Sequence, residues 1–362
     1  MIVNNSGEMK KVVRFILILI CALILILCGL IIYIAAYNNP ADKELDEAGI
    51  VEKQVQVGSV TFNYAEGPDN GPALVLLHAQ LLDWYTYSAV LPELSKGFHV
   101  YAIDYPGHGK TIVPEGYVMS AENIGNDLGR FIDDVIGTEV YVTGNSSGGL
   151  LATYLAANRG DVVKAVILED PPLFSSEYPA VKTTVANKAF TQSHNALESE
   201  DYDGDYLMYW IDNSKQFFAT YVFPGAEKLI KGMVTIYRTF HSDEPLEIAF
   251  MPVSVQEMLR GLDYYDPTFG AAFYDGTWNE DFNHEEALKK IDCPVLLIQA
   301  NTGYLTDGTL DGAMSKEMAE VAMDCLSDGK YLYVDSGHVT NLEVPDQFIA
   351  IVEDFFLEAE NG

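Results

Sequence analysis

An α/β fold, with a mostly parallel, doubly wound sheet covered by helices on both faces, is what this sequence predicts, and three observations predict it. Short, nearly unbroken apolar runs alternate with helix-periodic stretches, as in strands buried on both faces and joined by crossover helices. One run empties into Gly144-Asn-Ser-Ser-Gly148, and a helix-like run, Leu150–Ala157, follows at once. The chain left after an N-terminal apolar segment is long enough for one core domain plus an insertion.

Taken in order, the N-terminus comes first. Residues 15–37 carry no charge and are rich in Ile and Leu, a length that spans a bilayer as a helix. Lys10, Lys11 and Arg14 precede this stretch, whereas Asp42, Glu44, Asp46 and Glu47 follow it. The basic flank predicts a cytoplasmic N-terminus (1–14), a signal anchor (15–37) and a domain on the outer side of the cell membrane. The competing reading is a cleaved signal peptide, whose apolar core is about half this length. Cys28 lacks the small preceding residue expected of a lipid-modified cysteine. The acid-rich stretch 38–53 reads as a tether.

The strand-like runs are Pro72–His78, Phe98–Asp104, Glu139–Thr143, Val162–Leu168, Pro294–Gln299 and Lys330–Val334. Helical periodicity separates most of them, as over 120–136 and 315–326. Between Pro171-Pro172 and Cys293 the texture changes: aromatics and helical spacing dominate, with no second run of buried strands. This predicts a helical insertion over 173–290 between a first core part (54–172) and a second (291–362). Trp210, Phe217, Phe218 and Tyr221 are candidates to line an apolar cleft there, or to form the insertion's own core.

At residues 144–148, strand, sharp turn and helix give the G-x-S-x-G pattern its meaning. Small flanking residues let the strand and helix approach, and Ser146 would stand above the sheet edge with the helix's first N–H groups facing a developing oxyanion. The bland alternative is a glycine-rich turn.

Four motifs in order now resemble the α/β-hydrolase family: His78-Ala-Gln80, Asp104-Tyr-Pro-Gly-His-Gly109, Gly144-Asn-Ser-Ser-Gly148 and Ser336-Gly-His338, the last followed by Glu343 and Pro345. The resemblance spans residue 54 to about 356, with a gap at the insertion, which in this family is a helical cap. It implies that Ser146 is the nucleophile and His338 its base, and that His78 and His108 shape loops. The oxyanion donors it implies are the backbone N–H groups of Ser147 and Gln80, and Ala79 stands where the family usually has glycine. His99, His194, His241 and His284 lie in no motif.

The acid of the triad stays open. The family usually carries an aspartate beyond the strand that begins at Pro294, but Gln299–Thr306 holds no acid. Asp307 comes next. Asp170, at the end of the preceding strand, matches the position of relocated acids in some members and is the favoured acid, with Asp307 the alternative. A site with no acid, or with Asn301 in its place, is the third possibility.

The resemblance implies a serine hydrolase cleaving a small-molecule ester or related acyl bond through an acyl-enzyme, and the apolar segment adds the membrane anchor. A serine at the elbow argues against epoxide hydrolases and dehalogenases of the same fold. Two rivals stand beside it: an aminopeptidase, and a hydrolase-like binding module without turnover. A net charge of −32, from 53 acidic and 21 basic residues, argues against a nucleic-acid partner. Cys21 and Cys28 fall in the apolar segment, and Cys293 and Cys325 make no disulfide framework. The sequence has no metal-ligand cluster and no dinucleotide glycine fingerprint, so neither metal nor cofactor is expected.

Overall fold

The structure is a computed structural model that describes residues 5–37, 39–242, 244–248 and 251–361. In chain order it begins with helices α1 (Asn5–Ala36) and α2 (Pro40–Ala48), then strands β1 (Val51–Val57), β2 (Val60–Glu66) and β3 (Ala73–Leu77). Next come α3 (Leu91–Leu94), β4 (His99–Asp104), α4 (Ala121–Phe131), β5 (Val140–Asn145), α5 (Ser147–Asn158) and β6 (Val163–Glu169). The insertion holds α6 (Asn187–Glu198), α7 (Tyr206–Asn213), α8 (Lys215–Tyr221), α9 (Ala226–Phe240), α10 (Val253–Asp263), α11 (Pro267–Asp275) and α12 (His284–Lys290). The chain ends with β7 (Val295–Gln299), β8 (Gly303–Tyr304), β9 (Leu310–Asp311), α13 (Lys316–Cys325), β10 (Gly329–Tyr333), α14 (Thr340–Glu343) and α15 (Pro345–Asn361).

These elements pack as two units: residues 40–214 with 252–362, and residues 1–39 with 215–251. The larger unit carries an eight-stranded sheet in the order β1-β2-β4-β3-β5-β6-β7-β10. β1, β2 and β4 pair antiparallel, and every other neighbour is parallel. The central strands are apolar on both faces because both faces are covered. On one side Leu74, Leu76, Ala102, Ile167 and Ile298 pack against Tyr87, Leu91, Phe348 and Phe356. On the other, α5 packs on β3, β5 and β6, with α4 behind it. The parallel order brings the C-terminal ends of β3, β5, β6, β7 and β10 to one edge, where α/β sheets place their sites.

The acid-rich stretch 38–53 differs from the expected tether. Pro40–Ala48 forms a helix whose Leu45 is buried in the core, and Asp42 accepts from the Tyr85 hydroxyl at 2.6 Å. Strand β1 begins at Val51, so the ordered unit starts before residue 54. Leu45 docks it, with Ala41 and Ala48 packed beside it and Ile50 buried just after the helix.

The insertion is helical, as its periodicity predicts. In the larger unit α6 and α11 pack together, Phe190 stacks on Phe273 at 4.8 Å, and Phe273 on the wholly buried Trp278 at 4.4 Å. Trp210 is buried there too, serving the insertion's own core. Truncating such a ring typically costs about 3–5 kcal/mol. In the smaller unit Phe218 is buried and Phe217 half-buried, while the side chain of Tyr221 lies outside the described set. Here α9 packs against α1 and α8. Among the described residues α1 is the helix long and apolar enough to cross a membrane.

Candidate active site

Ser146 stands between β5 and α5 with φ 56° and ψ −119°, a conformation that costs a non-glycine residue about 1–3 kcal/mol and persists only when its surroundings impose it. Two features impose it here. The Ser146 N–H donates to the Glu169 carbonyl at 2.9 Å, pinning the turn to the end of β6. On the other side, the first turn of α5 presses on the end of β3: a Cβ on Gly148 would stand 2.1 Å from the Leu77 carbonyl oxygen and 2.5 Å from that of His78. Only glycine permits that approach, and it carries the first N–H groups of α5 to the loop that follows β3. Those groups have no partner within the helix. The Ser147 hydroxyl meets the Tyr105 hydroxyl at 2.8 Å, and Tyr105 in turn donates to the His78 carbonyl at 3.1 Å.

Asp170 follows β6 directly, is almost fully buried and has φ 44°. One carboxylate oxygen accepts from the Ala300 N–H at 3.1 Å, and the other lies 2.7 Å from His338 Nδ1. The His338 side chain is 42% exposed, so the ring is tied at Nδ1 while much of it remains open. Burial of that tied edge pulls the imidazole pKa down. The hydrogen bond and charge of Asp170 outweigh it, so the net shift is upward. Since the ring is only partly covered, Asp170 is the cause that carries the direction.

Asn145 links these parts. It is fully buried, and its amide nitrogen donates to the Glu169 carbonyl at 3.1 Å and to the His338 carbonyl at 2.9 Å. Both partners are acceptors, so the amide nitrogen must be the atom that faces them. Glu169 completes the brace: it is fully buried and accepts from the Asn341 N–H at 3.0 Å. Desolvation pushes the Glu169 carboxyl up to about 8, against the pull of Asn341 and His338. Glu343 accepts from the Gly337 N–H at 2.8 Å and so shapes the turn just before His338.

The loop after β3 is held differently. Leu81 has φ 66°, and three residues from α10 and the turn beyond it contact the loop. Tyr265 and the Gln80 side-chain amide meet at 2.5 Å, with the amide donating. A Cβ on Gly261 would stand 2.2 Å from the Leu81 carbonyl oxygen. Arg260 Nε donates to Asp83 at 3.0 Å, and its guanidinium lies 3.9 Å from the centre of the Tyr85 ring. Beneath the loop His78 stacks on Tyr105 at 4.4 Å and touches His108, which packs on Phe269. Burial holds the His78 imidazole down at about 4 and His108 well below its ordinary value, so both are neutral packing groups at pH 7.

The structure thus brings Asp170 to His338. Asp307 instead occupies an exposed turn and accepts from the Thr309 N–H at 3.0 Å, and that bond holds its carboxyl below the usual range. Asn301 donates to Asp335 at 3.1 Å and accepts from the Tyr333 hydroxyl. His99 faces Glu66, His194 stacks on Tyr274, and His284 is buried beneath Phe174. Cys293 and Cys325 are free thiols. The sequence reading missed Asn145, Tyr265, Gly261 and Arg260. Asn145 had a signal, a carboxamide inside an otherwise small-residue elbow; the other three lie in the insertion, where helical periodicity says nothing about what a helix end touches.

Comparison with known proteins bears on this geometry. A family model described as the alpha/beta hydrolase family matches residues 74–351. Mouse protein phosphatase methylesterase 1 is 31% identical over 113 residues, 30% of this chain and 29% of that protein. Epoxide hydrolase 3 of Xenopus tropicalis is 32% identical over 117 residues, 31% of each. The chain therefore matches under a third of the length of these curated relatives. Among solved structures, a bacterial membrane phospholipase A aligns with a TM-score of 0.60 and 20% identity, covering 96% of this chain and 99% of that one. A carboxylesterase from Bacillus subtilis aligns with a TM-score of 0.59 and 18% identity, covering 87% and 95%.

Proposed function

Because the chain belongs to the α/β-hydrolase family, we propose that it is a membrane-anchored serine hydrolase that cleaves a carboxylic ester or related acyl bond through an acyl-enzyme. Ser146 attacks the acyl carbon while His338 Nε2 takes its proton; Nδ1–H stays on Asp170, which orients the ring and stabilises the imidazolium. The tetrahedral oxyanion lies between the N–H groups of Ser147 and Gln80, where losing one donor costs about 10²–10³ in rate. His338 then returns the proton to the leaving group, and water repeats the sequence to release the acid. The observation that carries this reading is the 2.7 Å contact of Asp170 with His338, whose loop Asn145 ties to the elbow.

An ester substrate accords with the methylesterase, carboxylesterase and phospholipase among the similar proteins. Epoxide hydrolase 3 is among the relatives too, but a serine at the elbow gives no carboxylate to open an epoxide. The test is labelling of the full chain with a fluorophosphonate probe beside Ser146→Ala and His338→Ala. Labelling lost in both variants supports the activated serine. A folded wild-type chain that stays unlabelled turns the reading toward a binding module. A panel of short-chain esters and aminoacyl amides then separates an esterase from an aminopeptidase.

The anchor is α1, with the basic N-terminus in the cytoplasm and the hydrolase unit outside. Protease added to intact cells should digest the hydrolase unit and spare the N-terminal segment.

A further inference from the structure

Within the smaller unit, side chains of α1 between residues 9 and 29 are exposed, and packing begins only at Leu30. Ile34 is buried, α9 lies against α1, and His241 Nε2 meets the Ala35 carbonyl at 3.2 Å. A hydrocarbon core of about 30 Å takes about 20 residues at 1.5 Å each. Counted from Phe15, the core ends near Ala35, so α9 is held at the level where acyl chains give way to headgroups.

We propose that α8 and α9 lie on the bilayer surface at the C-terminal end of α1, as a second lipid contact beside the span. This rests on the reading of α1 as an anchor. Three observations point to lipid as the occupant. The first is continuity, since the exposed apolar surface of α1 runs directly into α9. The second is pattern. Leu229 and Phe240 are both exposed and stand eleven residues apart, which puts them within about 20° on the helix. Ile230, Val234 and Tyr237 are buried on a neighbouring face, and exposed Phe223 precedes the helix. The third is charge: residues 215–240 hold Lys215, Lys228, Lys231 and Arg238 against Glu227 alone, in a chain of net charge −32. Bases and apolar side chains together on a surface helix suit anionic headgroups above acyl chains, whereas an acidic helix would be repelled. Exposed Tyr33, near the end of the span, is of the residue type enriched at that depth.

The test uses the full chain in nanodiscs of phosphatidylcholine and phosphatidylglycerol. A trace of phosphatidylcholine carries a diazirine next to its glycerol ester. After irradiation, lipid adducts are mapped by mass spectrometry. Adducts on α1 and within residues 215–241 are expected, and Phe223→Ser/Leu229→Ser/Phe240→Ser should return the second set to the unirradiated background while leaving the first. Adducts on α1 with none in 215–241 overturn the proposal and leave the anchor standing. An α1 free of adducts overturns the anchor itself and the proposal with it.

Discussion

The two halves of the candidate site are built on different foundations. The acid–histidine half is braced from within the core: Asn145, Glu169 and Asn341 join the ends of β5 and β6 to the His338 loop and α14 through buried hydrogen bonds. The proposed oxyanion half is held from outside, because Gln80, Leu81 and Asp83 are contacted by Tyr265, Gly261 and Arg260 of the insertion. One half should therefore survive changes in the insertion, and the other should register them.

The largest expected effect lies in the braced half. Asp170→Asn should lower kcat by about 10⁴, as a wrong histidine tautomer does. It should also move the acid limb of the pH–rate profile. His338 must be neutral to act as a base, and Asp170 raises its pKa above the ordinary 6.5, so the wild-type limb should fall above pH 6.5 and the variant's below the wild-type's. An unmoved limb would remove Asp170 from its role. Asn145→Ala should cost about 10² in kcat, as small misplacements do, with KM little changed. Two lost buried hydrogen bonds should also cost about 2 kcal/mol in denaturant unfolding. Asn145→Asp should do at least as much harm, since it sets a carboxylate against two carbonyl oxygens.

Smaller effects should come from the gripped half. Gly261→Ala pushes on the Leu81 carbonyl and displaces a donor without deleting it, so about a tenfold loss in kcat is expected, below the cost of full removal. The pH limb should stay in place. Tyr265→Phe removes the acceptor for the Gln80 amide, a neutral hydrogen bond of about 1 kcal/mol, roughly fivefold. If either variant moved the acid limb as far as Asp170→Asn, the two halves would not be separate. A last effect is on stability rather than on rate. The Glu169 carboxyl is raised to about 8, so the stability it contributes is full below its unfolded pKa and is lost as pH rises through about 8. Glu169→Gln should flatten that part of the stability–pH curve; an unchanged slope would assign the loss to Asp104, raised to about 7, or to other groups.

What the sequence made legible follows the same division. The parallel strands, the elbow and the terminal histidine are local patterns: apolar runs, small residues at a turn, a Gly-His pair. Asp170 was legible as the favoured acid with Asp307 as its alternative, and fixing the choice depends on where β6 ends relative to β10, a matter of sheet order. Docking of α2 rests on Leu45, with Ala41, Ala48 and the Asp42–Tyr85 hydrogen bond beside it, too few residues to show as an apolar run. Antiparallel β1 and β2 were not read as strands, because their mixed polar composition lacks the continuous apolar run that marks the central ones. The grip of Tyr265 and Gly261 on the loop spans residues far apart in sequence, and no periodicity encodes it.

Ala35 and His241 are 206 positions apart, and that separation has a meaning in time. At about 5–20 residues per second, a ribosome needs roughly 10–40 s to travel between them. Helix α1 is complete long before α9 exists to pack against it. When residue 241 is made, β1 to β6 have been translated while β7 and β10 have not. The smaller unit can therefore close while the sheet still lacks two of its eight strands.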